Sequence, residues 1–332
     1  METGKKTPLV SVILPFRNAH YLSEAIQSIL DQTYRHFELI LVDNNDSNSS
    51  NSLDQHFHDH PQIRYLREPH KGVVHAFNAG LKASKGSLIA RMDADDVSDK
   101  FRLEYQVEWL LSNPEMGVVS GHVEYLGSDK NEGFIHYVDW LNAIQSFDEI
   151  RINQFVEFPL VNPSLMIRKA LFDLYGSYRE GDFPEDYEFF LRLMAEEVKM
   201  GKVSHPVLKW RDSPGRLTRT DDRYSQDAFF LIKAKYLTKW LKAHNPFHPT
   251  IYLWGAGRLS RRRSDYLLNE GIEAAQYIDV KEGGRTLHYK SIPSKDEAFI
   301  VSYVANRGAR DEIRSYLVEK GYQEEVNFII AS

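Results

Sequence analysis

Cysteine is absent from all 332 residues, which removes disulfides, thiolate metal ligands and a cysteine nucleophile together. Any metal must be held by oxygen or imidazole. A basic excess is also missing: 41 Lys and Arg stand against 47 Asp and Glu, a net charge of −6. No long run of Lys and Arg exists to neutralise a row of phosphates, so a nucleic-acid partner is not expected. Nowhere do the ~18 consecutive apolar residues of a spanning helix occur, and residues 1–7 are polar with no apolar signal core. These absences read as a soluble, cytoplasmic protein. What is present is ordinary globular composition, 42% apolar. The chain exceeds the ~250 to 300 residues at which one core stops growing, so two domains are expected.

The first half alternates two periods. Residues 9–15, 37–43, 63–66 and 88–93 are short β-rich runs, each followed by helical spacing, which predicts an α/β fold with a mostly parallel sheet. The first helix would turn Tyr21, Leu22, Ala25, Ile26, Ile29 and Leu30 inward and Ser23, Glu24 and Gln27 outward. Ligands of open α/β sheets bind beyond the carboxyl ends of the strands, which makes 15–18, 43–47 and 93–96 the candidate loops.

From about residue 113 the pattern is less regular, with helices near 169–175 and over 185–196. A helix over 225–242 carries Phe230, Ala234, Leu237 and Leu241 on one stripe and Lys235, Lys239 and Lys242 opposite. It could lie on an anionic membrane as a peripheral contact at the inner face, or pack as a connector that keeps its lysines wet. Lys233 falls in its apolar sector, which speaks against the membrane. Residues 244–249 (HNPFHP) read as a linker, and a second βα pattern follows. The expected division is therefore an α/β domain over 1–224, a connecting amphipathic helix and linker over 225–249, and a small Rossmann-like α/β domain over 250–332. That tail holds 12 basic and 12 acidic residues, so the net charge belongs to the first 249. Its Gly255-Ala256-Gly257 turn, with Asp279 about 20 residues on, is half a dinucleotide fingerprint. A phosphate-bearing ligand there competes with a structural or regulatory role.

Arg91-Met92-Asp93-Ala94-Asp95-Asp96 crowds three carboxylates at the end of a buried strand, where their repulsion is costly unless solvent or a cation relieves it. A divalent metal, Mg²⁺ or Mn²⁺, is one reading; an acidic helix cap by Asp96 or Ser98 is the other. A calcium loop fails because Val97 and Ser98 replace a ligand and the required glycine.

The stretches VSVILPFRNAHYLSEAIQSILDQTYRHFELILVDN, KGVVHAFNAGLKASKGSLIARMDADD and PEDYEFFLRLM resemble, in order and spacing, the motifs of family 2 glycosyltransferases, inverting enzymes of the GT-A fold. The resemblance covers about residues 8–220. It implies a nucleoside-diphosphate-sugar donor, a UDP-sugar foremost, a divalent metal (Mn²⁺ or Mg²⁺), and transfer with inversion to a glycan or lipid-linked glycan in cell-surface polysaccharide or glycoconjugate assembly. It places Pro15, Arg17, Asp43 and Asn44 at the nucleotide, Asn44 standing where an acid is usual. Lys71 falls near the phosphates, Asn78 on the helix behind, Asp93 toward the ribose and Asp95 toward the metal. Asp186 matches the catalytic base and Glu185 its partner toward the acceptor; without the resemblance, the same pair reads as helix capping. Arg211 matches a phosphate arginine, with Arg216 and Arg219 as further clamps, while Ser213 stands where a histidine is common and Asp212 is its candidate substitute. Asn162-Pro163-Ser164 reads either as an acceptor-facing position or as a plain turn. All matched motifs precede the linker, so residues 1–245 are expected to act alone. A sugar nucleotidyltransferase is disfavoured because PFRNAHYL lacks a glycine-rich phosphate loop. A non-catalytic scaffold that retains the fold is the alternative, and an oligomer stays open.

Overall fold

The computed structural model describes residues 7–17, 20–46, 57, 59–127, 131–213 and 215–332. Asn18 and Ser47, at the far ends of two expected loops, lie outside them, as does most of the polar segment 1–7. The contacts within the chain define two compact units, Met1–Ile150, Leu160–Glu180 and Glu196–Thr220 in one, Arg151–Pro159, Gly181–Ala195 and Asp221–Ser332 in the other.

The first unit is built on eight strands: β1 (Val10–Phe16), β2 (Phe37–Asp43), β3 (Ile63–Arg67), β4 (Leu88–Arg91), β5 (Val97–Ser98), β6 (Val118–Leu126), β7 (Met166–Arg168) and β8 (Met200–Arg211). Their order is β3-β2-β1-β4-β7-β6-β8-β5. β3, β2, β1 and β4 run parallel, β7 opposes both β4 and β6, and β6 is parallel to β8. The sheet is thus mostly parallel, as expected. β1 is buried along its whole length, which is why VSVILPF is apolar almost without interruption: both of its faces are covered. One cover is the helix Leu22–Leu30, which buries Leu22, Ala25, Ile26 and Ile29 at helical spacing. Another is the helix Val73–Ala83. A Cβ on its Gly80 would lie 2.5 Å from Ile13 Cγ2, so only glycine lets this helix approach β1 so closely.

The second unit carries an all-parallel five-stranded sheet of β9 (Thr250–Trp254), β10 (Glu273–Asp279), β11 (Thr286–His288), β12 (Ile300–Ser302) and β13 (Phe328–Ile330), in the order β11-β10-β9-β12-β13. This is the Rossmann-like module read from the tail, with β11 as a strand the pattern had not signalled. The boundary expected at 249/250 is not where the structure divides. Aromatic contacts explain why: Phe158 packs on Tyr187 and Phe190, Tyr187 on Phe229, and Trp240 on both Phe155 and Phe299. Tyr187 also donates to the Gln154 carbonyl at 2.7 Å, and Tyr236 to Glu188 at 2.7 Å. The helix Gln226–His244 is therefore a core element shared with Arg151–Pro159 and Glu185–Ala195, and not a bare connector. Lys235, Lys239 and Lys242 remain exposed, whereas Lys233 is buried with its ammonium donating to the Val156 and Ala331 carbonyls. Among the described residues, no helix is long and apolar enough to cross a membrane.

Candidate functional site

Strands β1, β2 and β3 end level with one another, and β4 stops three residues short of the end of β1. Phe16 of β1 pairs with Asp43 of β2, Asp43 with Arg67 of β3, and Ile13 of β1 with Arg91 of β4. The loops that follow leave from one edge and bring Arg17, Asp43, Asn44, Lys71, Asp93 and Asp95 there. Pro15 is near them in sequence, but it is buried inside β1 beside Val42 and not on the loop.

Past β4, Asp93, Asp95 and Asp96 offer carboxylate oxygens that all lie within 4.8 Å of one another. Asp93 pairs with the buried Arg91 at 2.5 Å, and Asp95 accepts a hydrogen bond from Ser213 Oγ at 3.0 Å. Asp96 is 1% exposed; one oxygen accepts from the Arg211 N–H at 2.7 Å, and Oδ2 is shielded with no hydrogen-bond partner. Burial, then the charge of Asp93, raises the Asp95 carboxyl, and burial followed by the charges of Asp93 and Asp95 raises Asp96 well above the ordinary range. Three crowded oxygen donors, one of them orphaned, fit a hard divalent cation. Asp96 is no exposed helix cap.

The loops after β2 and β3 are tied together. Asn44, 5% exposed, donates from Nδ2 to the Glu68 and His70 carbonyls at 2.9 and 2.7 Å and accepts from the Gly72 N–H at 2.8 Å. Its amide thus positions the Lys71–Gly72 turn, a different task from the base contact expected of it. Asp43 accepts from the Tyr65 hydroxyl and from both the backbone and side-chain N–H of Asn45. Burial raises its carboxyl, but these donors outweigh burial and hold it below the usual range; the same contact and burial push the Tyr65 hydroxyl up to about 12. Asp46 joins two expected donor-side cations, Lys71 from the phosphate loop at 2.7 Å and Arg17 from the nucleotide loop at 3.4 Å.

At the end of β8 the three arginines separate by their partners. Arg211 Nε donates to the Asp95 carbonyl and Nη2 to Glu24, both at 2.6 Å, while its guanidinium lies 3.8 Å over the Tyr21 ring. It braces the acidic loop against the first helix and does not present an open fork. Arg219 is held by Asp212 at 2.5 Å and the Ser213 carbonyl at 2.9 Å. Asp212, expected as a substitute for histidine, is also bound by Asn131 at 2.8 Å and Tyr125 at 3.3 Å, so it is committed to the loop; Ser213 itself reaches Asp95. Arg216 lies over the Trp210 and Phe134 rings, its Nη1 shielded and without a hydrogen-bond partner, and its charge opposes the upward shifts of Asp95 and Asp96.

Against known families, the description that matches residues 11–176, half of the chain, is glycosyl transferase family 2. The chain belongs to that family. It is 24% identical over 285 residues to a bifunctional glycosyltransferase, pgtA, of Dictyostelium discoideum, covering 72% of this chain and 37% of that one. A glycosyltransferase of Methanocaldococcus jannaschii is 26% identical over 252 residues, 74% of this chain and 84% of the relative. The O-antigen biosynthesis glycosyltransferase WbnJ of Escherichia coli is 29% identical over 210 residues, 61% of this chain and 79% of WbnJ. Among solved structures, the 1–349 portion of S. aureus TarS, in complex with UDP-GlcNAc, superposes with a TM-score of 0.52 at 16% identity, covering 70% of this chain and 72% of TarS 1–349. That likeness shows the GT-A-type fold.

In this glycosyltransferase, Glu185 and Asp186 open the helix Glu185–Ala195 in the second unit. Glu185 is 3% exposed and accepts from the Tyr224 hydroxyl at 2.6 Å, so it faces inward. Burial, then Glu185, raises the Tyr224 phenol far above its ordinary value. Asp186 Oδ1 accepts from the Tyr187 N–H at 2.7 Å, at the first turn of the helix. Asn162–Ser164 is a buried turn in which Asn162 accepts from Tyr178 and Ser164 meets Ser120, which favours the plain-turn reading. Asn78 donates to the Tyr178 carbonyl at 2.9 Å, a structural position as expected. Asp46 and Tyr65 lie outside the motifs; each joins the acidic edge of the first unit through a partner on a neighbouring loop or remote in sequence.

Proposed function

We propose that this family 2 glycosyltransferase moves a sugar from a nucleoside-diphosphate donor to a hydroxyl with inversion, in surface-glycan assembly, aided by a divalent cation. The observation that carries the reading is the trio Asp93, Asp95 and Asp96 with its orphaned buried oxygen, set at the edge where the parallel strands end. Asp95 and Asp93 would hold Mn²⁺ or Mg²⁺, which would neutralise charge developing on the leaving diphosphate. Ser213 orients Asp95 through its hydroxyl. Asp43, with Pro15 and Arg17 nearby, faces the nucleoside; Asn44 presents the Lys71 turn. Arg216, whose shielded Nη1 has no hydrogen-bond partner and whose charge acts on Asp95 and Asp96, contacts the diphosphate while Arg211 fixes the loop.

Asp186 is the base by its match to the family motif. It takes the acceptor proton as the oxygen attacks the anomeric carbon from the face opposite the diphosphate; the carbon–oxygen bond to the diphosphate breaks, and its electron pair leaves with the nucleoside diphosphate. Glu185, bonded to Tyr224, positions that helix start. The UDP-GlcNAc bound by TarS supports a UDP-sugar as the first donor to try, and the role in WbnJ's name supports a glycan or lipid-linked glycan acceptor. The test is release of nucleoside diphosphate from a UDP-sugar panel with and without Mn²⁺. Cation-dependent release that disappears in Asp95→Ala supports the reading; equal donor affinity of wild type and Asp95→Ala, with and without Mn²⁺, removes the metal assignment. A scaffold would bind donor and release nothing.

A further inference from the structure

The glycine turn of the second unit is closed from within. Asp279, ending β10, accepts from the Ala256 N–H at 2.6 Å and the Val280 N–H at 2.7 Å, putting a carboxylate where an anionic ligand would need donors. That carboxylate has its partners. A buried cation of the first unit has no such direct counter-ion.

Arg102 opens the helix Arg102–Ser112 and is fully buried. Its Nη2 donates to the Arg91 carbonyl at 2.8 Å and the Leu165 carbonyl at 3.2 Å, its Nε to Gln106 Oε1 at 3.1 Å, and its Nη1 lies 3.6 Å from the Met92 sulfur. All of these acceptors are neutral. Gln106 is itself fixed, donating to the Ser164 carbonyl at 2.7 Å and the Val119 carbonyl at 3.3 Å. Among the described residues no carboxylate forms an ion pair with Arg102, whereas the neighbouring Arg91 is paired with Asp93. A buried guanidinium is costly unless negative charge compensates it, and in a dry interior that charge acts from beyond contact distance. The compensation comes from the acidic loop. Arg102 touches Arg91 and Met92, the two residues before Asp93. Burial pushes its guanidinium down from the ordinary value; Asp96 offsets this, Arg91 reinforces it and Asp93 offsets it.

We propose that Arg102 is a fixed buried charge that weakens the hold of Asp93, Asp95 and Asp96 on a lone divalent cation, so that the cation is bound firmly only together with the donor's diphosphate. This rests on the metal reading given above. Coulomb energy scales with the product of the charges, so Arg102 repels a divalent cation about twice as strongly as it attracts one carboxylate at the same distance. The diphosphate brings oxygen ligands and negative charge, which offset that repulsion. Cation and nucleoside diphosphate therefore favour each other's binding, and by linkage to the same extent. Arg102 acts through the acidic loop it lies behind, as a positioning residue.

The test measures Mn²⁺ binding to the full chain by calorimetry, alone and with saturating UDP, with the association of Mn²⁺ and UDP in solution subtracted. Wild type should bind Mn²⁺ weakly alone and about tenfold or more tightly with UDP. Arg102→Met removes the charge at similar length, and Gln106→Glu gives the Arg102 Nε a carboxylate in place of the amide. Each should tighten the binding of Mn²⁺ alone by about tenfold and shrink the gain from UDP. Arg102→Lys keeps the charge and should stay near wild type. The sign separates charge from structure, because a loosened loop would weaken Mn²⁺ binding. Should Arg102→Met not fold, Gln106→Glu decides alone. Mn²⁺ affinity unchanged or weakened in the folded charge-altering variants, or tightened as much in Arg102→Lys, would overturn the proposal. Wild type that binds UDP but no Mn²⁺ under either condition would instead remove the metal reading, and the proposal with it.

Discussion

Arg211, Arg216 and Arg219 are the same side chain with three different surroundings, and the surroundings decide what each can do. A guanidinium whose N–H groups already meet Asp95, Glu24 and an aromatic face cannot also fork onto a phosphate, whereas one resting on Trp210 and Phe134 can. Arg216→Ala is expected to raise the donor KM or Kd about tenfold or more while stability stays within about 1 kcal/mol of wild type. Arg211→Ala should instead lower Tm clearly, since it frees the acidic loop. Donor titration beside thermal melts of both variants checks this, and equal donor affinity of Arg216→Ala and wild type removes Arg216 from the site. Asp186 separates chemistry from capping in a similar way. Asn caps a helix about as well as Asp but accepts no proton, so Asp186→Asn should lose ~10² to 10⁴-fold in kcat with donor affinity kept. A near-normal kcat would return Asp186 to a purely structural role.

Between residues and the whole lie the loops, and the tie made by Asn44 shows what they add. One amide spans the ends of β2 and β3 and pairs with two carbonyls and one N–H of the following loop. Asn44→Ala removes those bonds and should cost about 1–3 kcal/mol or more in urea unfolding, with weaker donor binding because the Lys71 turn is released. Unchanged unfolding and donor affinity would show that the tie has no role. The strands that carry these loops were legible: 37–43 is β2 to the residue, 9–15 is shifted by one, 63–66 gains a residue and 88–93 loses two. Uninterrupted apolar runs report burial on both faces, a local property. The amide of Asn44, by contrast, was expected at the nucleotide, because nothing in its neighbourhood in sequence names Glu68, His70 and Gly72 as its partners.

For the whole molecule, burial of charge and the division into units both have measurable consequences. Lys233 and Lys202 are buried, and desolvation brings each ammonium down to about 7 in the folded state from the ordinary 10.5 of the exposed chain. Between about pH 7 and pH 10.5 the unfolded chain therefore binds more protons than the folded one, so stability rises with pH across that window and gains nothing further below it, where both states are protonated. Urea midpoints at pH 7 and 9 should show this rise, and Lys233→Met should flatten it. An equal slope in wild type and Lys233→Met would show that Lys233 does not titrate as placed. A chain ending at residue 245 tests the division. It was expected from the linker to act alone, yet it would strip Phe299 from Trp240 and Ala331 from Lys233. Such a truncation should be insoluble or markedly less stable, and a folded, active product would restore the boundary at the linker.

The order of the glycosyltransferase motifs, the α/β alternation and the acidic trio after β4 were determined by the sequence alone, because periodicity, turn chemistry and crowded charge act over a few neighbouring residues. Only the tertiary structure decided that Asp96 meets the backbone of Arg211, that Ser213 reaches Asp95, that Glu185 turns inward to Tyr224, and that Lys233 is buried against the Val156 and Ala331 carbonyls. Those pairings join positions far apart in the chain. They exist because each buried polar group must find a partner once water is excluded, and which partner is within reach depends on how the strands are ordered and where the helices pack.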